Sequence, residues 1–366
     1  MQLFKKPSAR LPIGIKRSAL ISLATFASLS QVYAMQGLSF QHGEWQIICS
    51  NTGTCQAAGY QADDSKGLPA SILLTRKAGP AQQVNAEFVL AGEYGEDLSP
   101  NHIQNIRFYI NNKDLGPLTY DDAEGPLKGA LSATQRDALL KQAQKSVKIE
   151  FANGHYLWRV SDQGMTASLL KMDDFQKRVG TVGALIKKGS ASEAKVLAAQ
   201  APLQLSKVKT ADHPYMTLER QDPRYAELHQ TLMAAHVAGK DEGFCEGVYE
   251  EDGTQPQAIE LYKLSHNKVL ATTLCWRGAY NAGSGAWVLD QDLKGDAYFI
   301  TDSLTDVEAG QISATHKGRG LGDCWGGERW TWTGEKFVLS SDWHSGQCKG
   351  IPGGAWQLER IESDVK

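Results

Sequence analysis

Short runs of alternating apolar and polar residues recur through most of the chain, and Gly, Pro, Asn or Asp separates one run from the next. Successive side chains of a strand point to opposite faces of a sheet, so a two-residue period predicts strands with one buried face. In the first half, such runs cover residues 44–49, 55–60, 71–75, 84–90, 103–110, 147–151 and 155–160. In the second half, they lie near Val248 and at 259–264, 269–276, 286–289, 298–301, 330–333, 337–339 and 356–361. The pattern predicts a mainly β protein with antiparallel sheets.

Three segments instead carry apolar residues at helical spacing, namely residues 131–145, 165–185 and 222–238. Ser132 and Thr134 are candidate N-caps of the first, because their side-chain oxygens can accept hydrogen bonds from the free N–H groups of the first turn. The second pattern is weaker, since Gly180 and Gly183 lower helical propensity. We expect the third segment to form an amphipathic helix.

The first 34 residues have the pattern of a signal peptide. Five basic residues precede the apolar run 19–27, and Val32-Tyr33-Ala34 places small or modest side chains where a signal peptidase cleaves. The run is too short to span a bilayer comfortably, which disfavours a retained membrane anchor. We therefore expect cleavage near Ala34, a mature protein that begins at Met35 in the periplasm or outside the cell, and no stable membrane insertion afterwards.

Residues 187–221 separate two parts of the mature chain that differ in composition. This segment is polar, poor in aromatic residues and interrupted by Pro202 and Pro214. Because the mature chain is long for a single hydrophobic core, we predict two domains, 35–186 and 222–366, joined by a partly helical linker at 187–221. Each domain is expected to be an antiparallel β-sandwich or to resemble a barrel, the first with inserted helices and the second Trp-rich and opening with a helix.

Removal of the leader makes the protein more acidic. The leader holds five of the 38 Lys and Arg residues and none of the 41 Asp and Glu, so 33 basic and 41 acidic residues remain, a net charge of −8. Nucleic acids and anionic lipids both require concentrated Lys and Arg, and the sequence has no basic cluster. Neither class of partner is therefore expected.

All six cysteines fall in the mature part, and an even number in an exported chain indicates disulfides. Cys49 and Cys55 flank a Ser-Asn-Thr-Gly-Thr turn that brings their sulfur atoms together. The other four allow alternatives, of which pairing between neighbours, Cys245 with Cys275 and Cys324 with Cys348, is the simplest. A metal site or redox pair is disfavoured, because no Cys-x-x-Cys and no zinc-like Cys and His spacing occurs.

Several motifs together resemble a proteobacterial family of secreted proteins that is known only as a domain of unknown function. They are Phe40-x4-Trp45-x3-Cys49 with Cys55-x-Ala57, the run from Met172 to Thr181, Cys275-Trp276-Arg277-Gly278-Ala279-Tyr280-Asn281, Lys317-Gly318-Arg319-Gly320-Leu321-Gly322-Asp323-Cys324, and Trp332-x-Gly334-x2-Phe337. The N-terminal Trp and Cys pattern is also similar to the invasion-associated locus B proteins. The resemblance implies export and a shared fold but no particular activity.

Two short motifs resemble catalytic or phosphate-binding elements without their context. Ser168-x-x-Lys171 matches the motif of penicillin-recognising enzymes. The companion motif Lys-Thr-Gly is absent, however, and the predicted strand-rich domain does not have the architecture of those enzymes. An ordinary helix surface is the simpler interpretation. Gly318-x-Gly320-x-Gly322 lacks the strand-to-helix context of a phosphate loop, and we expect these glycines to permit tight turns beside a disulfide.

Two other sets of residues resemble metal sites only in part. Asp290-x-Asp292 begins like a calcium loop, but Lys294 takes the next ligand position. His229 and His236 share one face of the predicted helix without a third ligand, which favours a solvated or half-buried helix face. The sequence therefore predicts no catalytic residue, no metal and no cofactor.

Seven of the nine tryptophans lie in the second predicted domain. Most of them are expected in its core, because strand tryptophans fill sandwiches, while an exposed Trp beside Gly-rich turns can stack on sugars or anchor a protein. Our candidate recognition surface consists of Arg277, Tyr280, Asn281, Arg319, Asp323 and Trp325. Arg319 and Asp323 are equally consistent with a structural ion pair.

Two classes of function remain open at this point. The first is a non-catalytic envelope protein that binds a protein or a glycan, which the acidic charge, the disulfides and the missing catalytic motifs favour. The second is a periplasmic hydrolase that acts on peptidoglycan or peptides, with a carboxylate or His site assembled from residues distant in sequence. A cleft lined by paired carboxylates would favour the hydrolase, and an open aromatic face the binding protein.

Overall fold

The computed structural model describes residues 37–63, 67–93, 96–121, 125–238, 245 and 257–366. Residues Ala34–Lys366 form one compact unit. The described residues contain 23 strands and three α-helices, so the predicted mainly β class is confirmed. None of the described sheets closes into a barrel. Within the same residues, no helix is both long and apolar enough to cross a bilayer.

The first eleven strands form two antiparallel sheets. A seven-stranded sheet has the order β1-β2-β3-β4-β5-β9-β8, and a four-stranded sheet has the order β11-β10-β6-β7. The strands are β1 Leu38–His42, β2 Trp45–Cys49, β3 Cys55–Tyr60, β4 Ala70–Arg76, β5 Val84–Leu90, β6 Arg107–Ile110, β7 Lys113–Pro117, β8 Thr119–Asp121, β9 Leu127–Ala130, β10 Ile149–Ala152 and β11 Leu157–Val160.

The remaining strands form two five-stranded antiparallel sheets and one parallel pair. The orders are β13-β14-β15-β16-β17 and β18-β19-β20-β21-β22, and β12 pairs with β23. The strands are β12 Leu203–Leu205, β13 Met216–Leu218, β14 Ile259–Lys263, β15 Lys268–Arg277, β16 Ala282–Asp290, β17 Tyr298–Leu304, β18 Asp306–Glu308, β19 Gln311–Lys317, β20 Trp325–Trp332, β21 Phe337–His344, β22 Leu358–Ile361 and β23 Ser363–Val365. The strand predicted near Val248 lies outside the described residues.

The three helices begin close to the predicted positions. They are α1 Ala133–Lys141, α2 Met165–Phe175 and α3 Tyr225–Ala238. Ser132 caps α1 through a reciprocal capping box with Gln135, as the sequence predicts. The prediction of a helix over 165–185 was too long, because Lys177 adopts a left-handed φ of 55° that ends the helical path after Phe175. The segment between the two predicted domains contains a 3-10 turn at Glu193–Lys195.

The seven-stranded sheet is buried on both faces. Ile47 and Leu74 point to a core shared with Phe108 and Phe151 of the four-stranded sheet. The neighbouring residues Ile48, Ala58, Leu73 and Val89 pack on the opposite face against Ile351, Ala355 and Leu358 from the end of the chain. The period of two residues assigns adjacent side chains to opposite faces. The C-terminal residues therefore supply half of the packing of the N-terminal sheet.

The two five-stranded sheets pack face to face as a sandwich. Leu270 and Val288 of one sheet meet Trp330 and Trp332 of the other. The outer face of the first sheet is covered by α3, whose Leu228 and Leu232 pack beside Trp287. Trp287, Trp330 and Trp332 are thus core residues, as expected for strand tryptophans. His236 of α3 is fully buried against Phe299, so the predicted half-buried His face was wrong for this residue.

A buried charge cluster anchors the chain after α2. Arg178 is fully buried, forms an ion pair with Glu193 and donates from Nε to Gln176 Oε1 at 3.0 Å. Asp173 Oδ2 accepts hydrogen bonds from the backbone N–H groups of Leu185 and Ile186 at 2.7 and 2.8 Å. Burial raises the pKa of the Asp173 carboxyl. Asp173, Gln176 and Arg178 belong to the run 172–181, and their contacts stabilise the fold. Ser168 is also buried, so its predicted position on the helix surface was wrong.

All three predicted disulfides are present. Cys49 pairs with Cys55, Cys245 with Cys275, and Cys324 with Cys348. The first closes the β2–β3 hairpin, in which Gly53 has a φ of +86°. Disulfides of this kind restrict the unfolded chain and are typical of exported proteins.

We expect Glu193→Gln to lower the free energy of unfolding by about 3 kcal/mol, because it leaves the buried Arg178 guanidinium without its carboxylate. Asp290→Asn is the matched control, since its ion pair with Lys268 is exposed and is worth less than about 1 kcal/mol. Urea unfolding curves of both variants test this prediction. Equal losses in the two variants would contradict a structural role for the buried cluster.

Candidate functional site

A groove lies at one end of the C-terminal sandwich, where the β18–β22 sheet meets the edge of the N-terminal sheet. Its volume is about 620 Å³, within the usual size range of ligand sites. Strands β19, β20, β21 and β22 supply most of its walls. Ser39 and Ile48 of the N-terminal sheet, Ser303 of β17 and the loops around the Cys324–Cys348 disulfide complete them. We define the groove by the following side chains: His316, Lys317, Trp325, Glu328, Asp342, Trp343, His344 and Arg360.

Strand register brings the polar groups of the groove together. His316, Gly326 and His344 lie side by side across β19, β20 and β21. In the same way, Glu328 lies directly opposite Asp342. Residues two apart on a strand share a face, so both pairs point to the same side of the sheet. Three strands therefore direct two carboxyl groups and two imidazoles to one surface.

Glycines make room for the groove. A Cβ atom at Gly327 would lie only 2.8 Å from the indole Nε1 of Trp343, the residue opposite it on β21. Any larger side chain at this position would push the indole away from the sheet. Gly327 therefore fixes where the Trp343 ring lies.

Glu328 is the unusual residue of the groove. Its carboxyl group is half-buried, and no described residue forms an ion pair or hydrogen bond with it. Burial raises its pKa, and the nearby Asp342 carboxylate raises it further. Glu328 thus keeps its proton to a higher pH than an ordinary glutamic acid.

Asp342, unlike Glu328, has a basic side chain as a hydrogen-bond partner. Arg360 of the neighbouring strand β22 donates from Nε to Asp342 Oδ2 at 2.7 Å, and its Nη2 contacts the same oxygen. Oδ1 has no hydrogen bond to the described residues and is open to a ligand. A guanidinium that forms two hydrogen bonds stabilises the charged form of a carboxylate. The groove thus contains two carboxyl groups in contrasting environments.

Both histidines of the groove are held by backbone groups. His344 Nδ1 accepts a hydrogen bond from Gly346 N at 3.1 Å, and burial lowers its pKa, so the ring is neutral near pH 7. His316 Nε2 lies 2.8 Å from the carbonyl oxygen of Ser303, and its ring packs against Trp276. These contacts fix the orientation of both imidazoles.

Three of the predicted recognition residues lie on a hairpin that adjoins the loop after β19. Arg277, Tyr280 and Asn281 belong to the β15–β16 hairpin. The Asn281 amide bonds to Lys317 in both directions, with Nδ2 to the carbonyl oxygen at 2.9 Å and the Lys317 N–H to Oδ1 at 3.1 Å. Tyr280 is 48% exposed and lies against Gly320. The hairpin and the loop after β19 are therefore in contact through Tyr280 and Asn281, and the recognition role of these residues stays a prediction.

Arg319 and Asp323 form an ion pair, which is the structural alternative that the sequence left open. Asp323 Oδ2 also accepts a hydrogen bond from Gly350 N at 2.6 Å. Both residues line a second depression of about 460 Å³ on the far side of the Cys324–Cys348 disulfide. Trp325 is the one predicted recognition residue that lines the groove; its Nε1 donates to the Gly322 carbonyl at 3.0 Å.

The disulfide explains the first glycine of the Gly-x-Gly-x-Gly run. A Cβ atom at Gly318 would lie 2.6 Å from Cys324 Sγ, and Gly322 has a φ of +69°. The prediction of tight turns beside a disulfide is therefore confirmed. Among the described residues, one group of side chains, Asp323, Cys324 and Cys348, has the spacing of metal ligands. The two cysteine sulfur atoms are joined in a disulfide, so they are not thiolate ligands.

The sequence did not reveal the main polar residues of the groove. These residues are His316, Glu328, Asp342, Trp343, His344 and Arg360. One signal was present: Glu328 has the same strand parity as the buried Trp330 and Trp332, which places a carboxyl group on a face otherwise directed at the core. A charged residue at a core-facing position is a reason to suspect a site.

Residues 39–361 match the model of a family described as "Protein of unknown function (DUF1176)". The chain belongs to this family. The DUF1176 match includes the whole groove and all three disulfides. An "Uncharacterized protein YpfG" of Escherichia coli (strain K12) is 25% identical over 317 residues, which cover 81% of this chain and 84% of the relative. No solved structure is significantly similar to the chain.

We expect Glu328→Gln to be more stable than the wild type near pH 7 but not near about pH 3. The raised pKa means that the folded state binds the Glu328 proton more tightly than the unfolded state does. This contribution to stability is present below the unfolded pKa and is lost as the pH rises through the folded pKa. Unfolding free energies measured across this pH range test the prediction. A constant difference between the two proteins at all pH values would contradict it.

Proposed function

We propose that this DUF1176 protein is a periplasmic or secreted envelope protein that binds a glycan in the groove. The observation that carries the proposal is that two partly exposed tryptophans, Trp325 and Trp343, line the same groove as the polar side chains. Strand alternation directs the two indoles and the Glu328–Asp342 pair to opposite faces of the sheet, so the aromatic and polar contacts come from different sides of the groove. Sugars present both apolar C–H faces and hydroxyl groups. A glycan-binding surface therefore needs aromatic and hydrogen-bonding groups together.

The groove offers both kinds of contact. An indole can stack on the apolar face of a sugar ring, and its edge stays available for a polar contact. Asp342 Oδ1 can accept hydrogen bonds from sugar hydroxyls, while the Glu328 carboxylic acid can donate one. Sites held by strands are more rigid than sites on loops, which reduces the entropy lost on binding.

The cellular location is part of the proposal. The signal-peptide pattern of residues 1–34 and the three disulfides both support an oxidising compartment. Glycans are abundant in the bacterial envelope, so location and ligand class agree. The excess of eight acidic residues in the mature chain disfavours nucleic acid as the ligand.

A protein partner is the second candidate ligand, and a different surface supports it. Leu321 and Tyr280 are 68% and 48% exposed and lie on the loops beside the second depression. An exposed leucine next to an exposed tyrosine is typical of protein recognition surfaces. This surface is separate from the groove, so variants of the groove distinguish the two ligand classes.

We expect the mature protein to bind tetrasaccharides of N-acetylglucosamine or glucose, and Trp343→Ala to weaken binding at least about 10-fold through loss of stacking. Trp325→Ala provides a second, independent variant, and Tyr298→Ala is the control, because Tyr298 is 62% exposed but lies outside the groove. Isothermal titration with matched thermal unfolding measures both affinity and folding. Absence of binding to every tetrasaccharide and to purified peptidoglycan would overturn the proposal.

We expect protein purified from the periplasm to begin at Met35, because the leader ends with a signal-peptidase pattern. N-terminal sequencing and intact mass after alkylation of free thiols test this directly. The same mass should show six cysteines without added alkyl groups. A retained leader or alkylated cysteines would contradict export to an oxidising compartment.

A further inference from the structure

We infer that the groove also hydrolyses the glycan that it holds, with Glu328 as the general acid and Asp342 as the nucleophile. This inference rests on the proposed function, since it assigns a reaction to the same ligand. It stands on three observations in the groove: the pairing of the two carboxyl groups across strands, the isolation of Glu328, and the arrangement of Asp342 and Arg360.

The first observation is strand register. Glu328 on β20 and Asp342 on β21 are directly opposed residues of an antiparallel pair. Such residues have Cβ atoms about 4.5–5.5 Å apart on the same face. Glycosidases that retain the anomeric configuration hold their two carboxyl groups about 5–5.5 Å apart. Direct cross-strand pairing therefore starts both side chains at a separation from which their carboxyl groups can reach the spacing of a retaining site.

The second observation is that Glu328 lacks a structural role among the described residues. It forms no ion pair or hydrogen bond, although it lies half-buried in a wall of the groove. Burial of a carboxyl group without a hydrogen bond disfavours folding, and the nearby Arg360 offsets this only in part, since the pKa of Glu328 is still raised. Such a residue is consistent with a function that requires it. Glu193 differs from Glu328 in this respect. Its carboxylate forms ion pairs with Arg178 and Arg76 and accepts a hydrogen bond from the Ala81 N–H.

The third observation concerns Asp342. Arg360 binds only Oδ2, so Oδ1 faces the groove without a hydrogen bond to the described residues. The two hydrogen bonds of the guanidinium fix the orientation of the carboxyl group. Arg360 is thus a positioning residue, and Asp342 Oδ1 is the atom that can attack a sugar.

The charged and titratable groups around Glu328 agree with these roles. Asp342 and Asp302 both raise its pKa, and Arg360 lowers it, while burial has the largest effect and raises it. His316 and His344 also border the groove. A carboxyl group with a raised pKa beside a second carboxyl group is the arrangement that glycoside hydrolysis uses.

The reaction proceeds in two balanced steps. Glu328 gives its proton to the glycosidic oxygen while Asp342 Oδ1 attacks the anomeric carbon; the bond to the leaving oxygen breaks, and that oxygen departs as an alcohol. A glycosyl ester of Asp342 remains. Water then gives a proton to the Glu328 carboxylate and attacks the same carbon, the ester bond breaks with its electron pair returning to Asp342, and a sugar with retained configuration is released.

The test measures binding and cleavage separately with the mature protein. The probes are tetrasaccharides of N-acetylglucosamine and of glucose, together with purified peptidoglycan. New reducing ends report cleavage, NMR reports the first anomer formed, and titration reports affinity. We expect Glu328→Gln and Asp342→Asn each to reduce cleavage by at least about 100-fold, a much larger effect than their effect on affinity, to which each residue contributes one hydrogen bond. Glu308→Gln is the control, because Glu308 is an exposed β18 residue outside the groove.

A second readout tests the nucleophile by itself. A 2-deoxy-2-fluoro glycoside with a good leaving group should add one glycosyl group to Asp342 in the wild type, visible by peptide mass spectrometry. Asp342→Asn should not be labelled. Inversion of configuration, or labelling at another residue, would overturn the assignment of Asp342.

The outcomes separate this inference from the proposed function. Binding without cleavage of any probe would overturn hydrolysis and leave glycan binding in place. Absence of binding and cleavage would overturn both. Cleavage that persists in Glu328→Gln at the wild-type rate would overturn the role of Glu328, whereas loss of cleavage with retained binding supports it.

Discussion

The structure depends on the burial of the second face of the seven-stranded sheet. Ile48, Ala58, Leu73 and Val89 would be exposed without the C-terminal residues that cover them. Hydrogen bonds reinforce this packing: Trp356 Nε1 donates to Ser71 Oγ at 2.7 Å. Each Val, Leu or Ile on this face contributes about 1.5–3 kcal/mol when it is fully buried. The two halves of the chain are therefore joined by a shared core as well as by a connecting segment.

The contact between the halves is polar at its edges. The Lys349 ammonium pairs with Glu44 and Asp63 of the first half. The Asn51 side-chain amide donates from Nδ2 to the Glu362 carbonyl oxygen at 3.1 Å and accepts at Oδ1 from the Glu362 N–H at 2.8 Å. A Cβ atom at Gly346 would lie 1.9 Å from the Tyr60 hydroxyl, so only glycine allows this close approach. The same C-terminal stretch carries Arg360, and the packing that closes the N-terminal core thereby also orients Asp342 in the groove.

Local features of the structure were predictable from the sequence, and features set by distant pairing were not. The Cys49–Cys55 hairpin and the Ser132 cap depend on neighbouring residues, and both were predicted. The end of α2 was missed because it depends on the buried Arg178 cluster, whose partners come from distant segments. Strand β19 was missed as well. Only Ile312 and Ala314 alternate with polar residues in it, and two apolar positions are too few to predict a strand. Without β19 and the register of β20 with β21, the cross-strand pairing of Glu328 could not be recognised.

The shared core also determines when the protein can finish folding. Hydrogen bonds such as that between Asn51 and Glu362 join residues 311 positions apart, and their formation closes a very long loop. Contacts of this length slow folding. A chain that emerges with its N-terminus first must leave one apolar face of its first sheet uncovered until the last residues arrive. During that interval the sheet exposes Ile48, Leu73 and Val89, so newly made protein has a period of vulnerability to aggregation that ends only with the docking of its C-terminal residues.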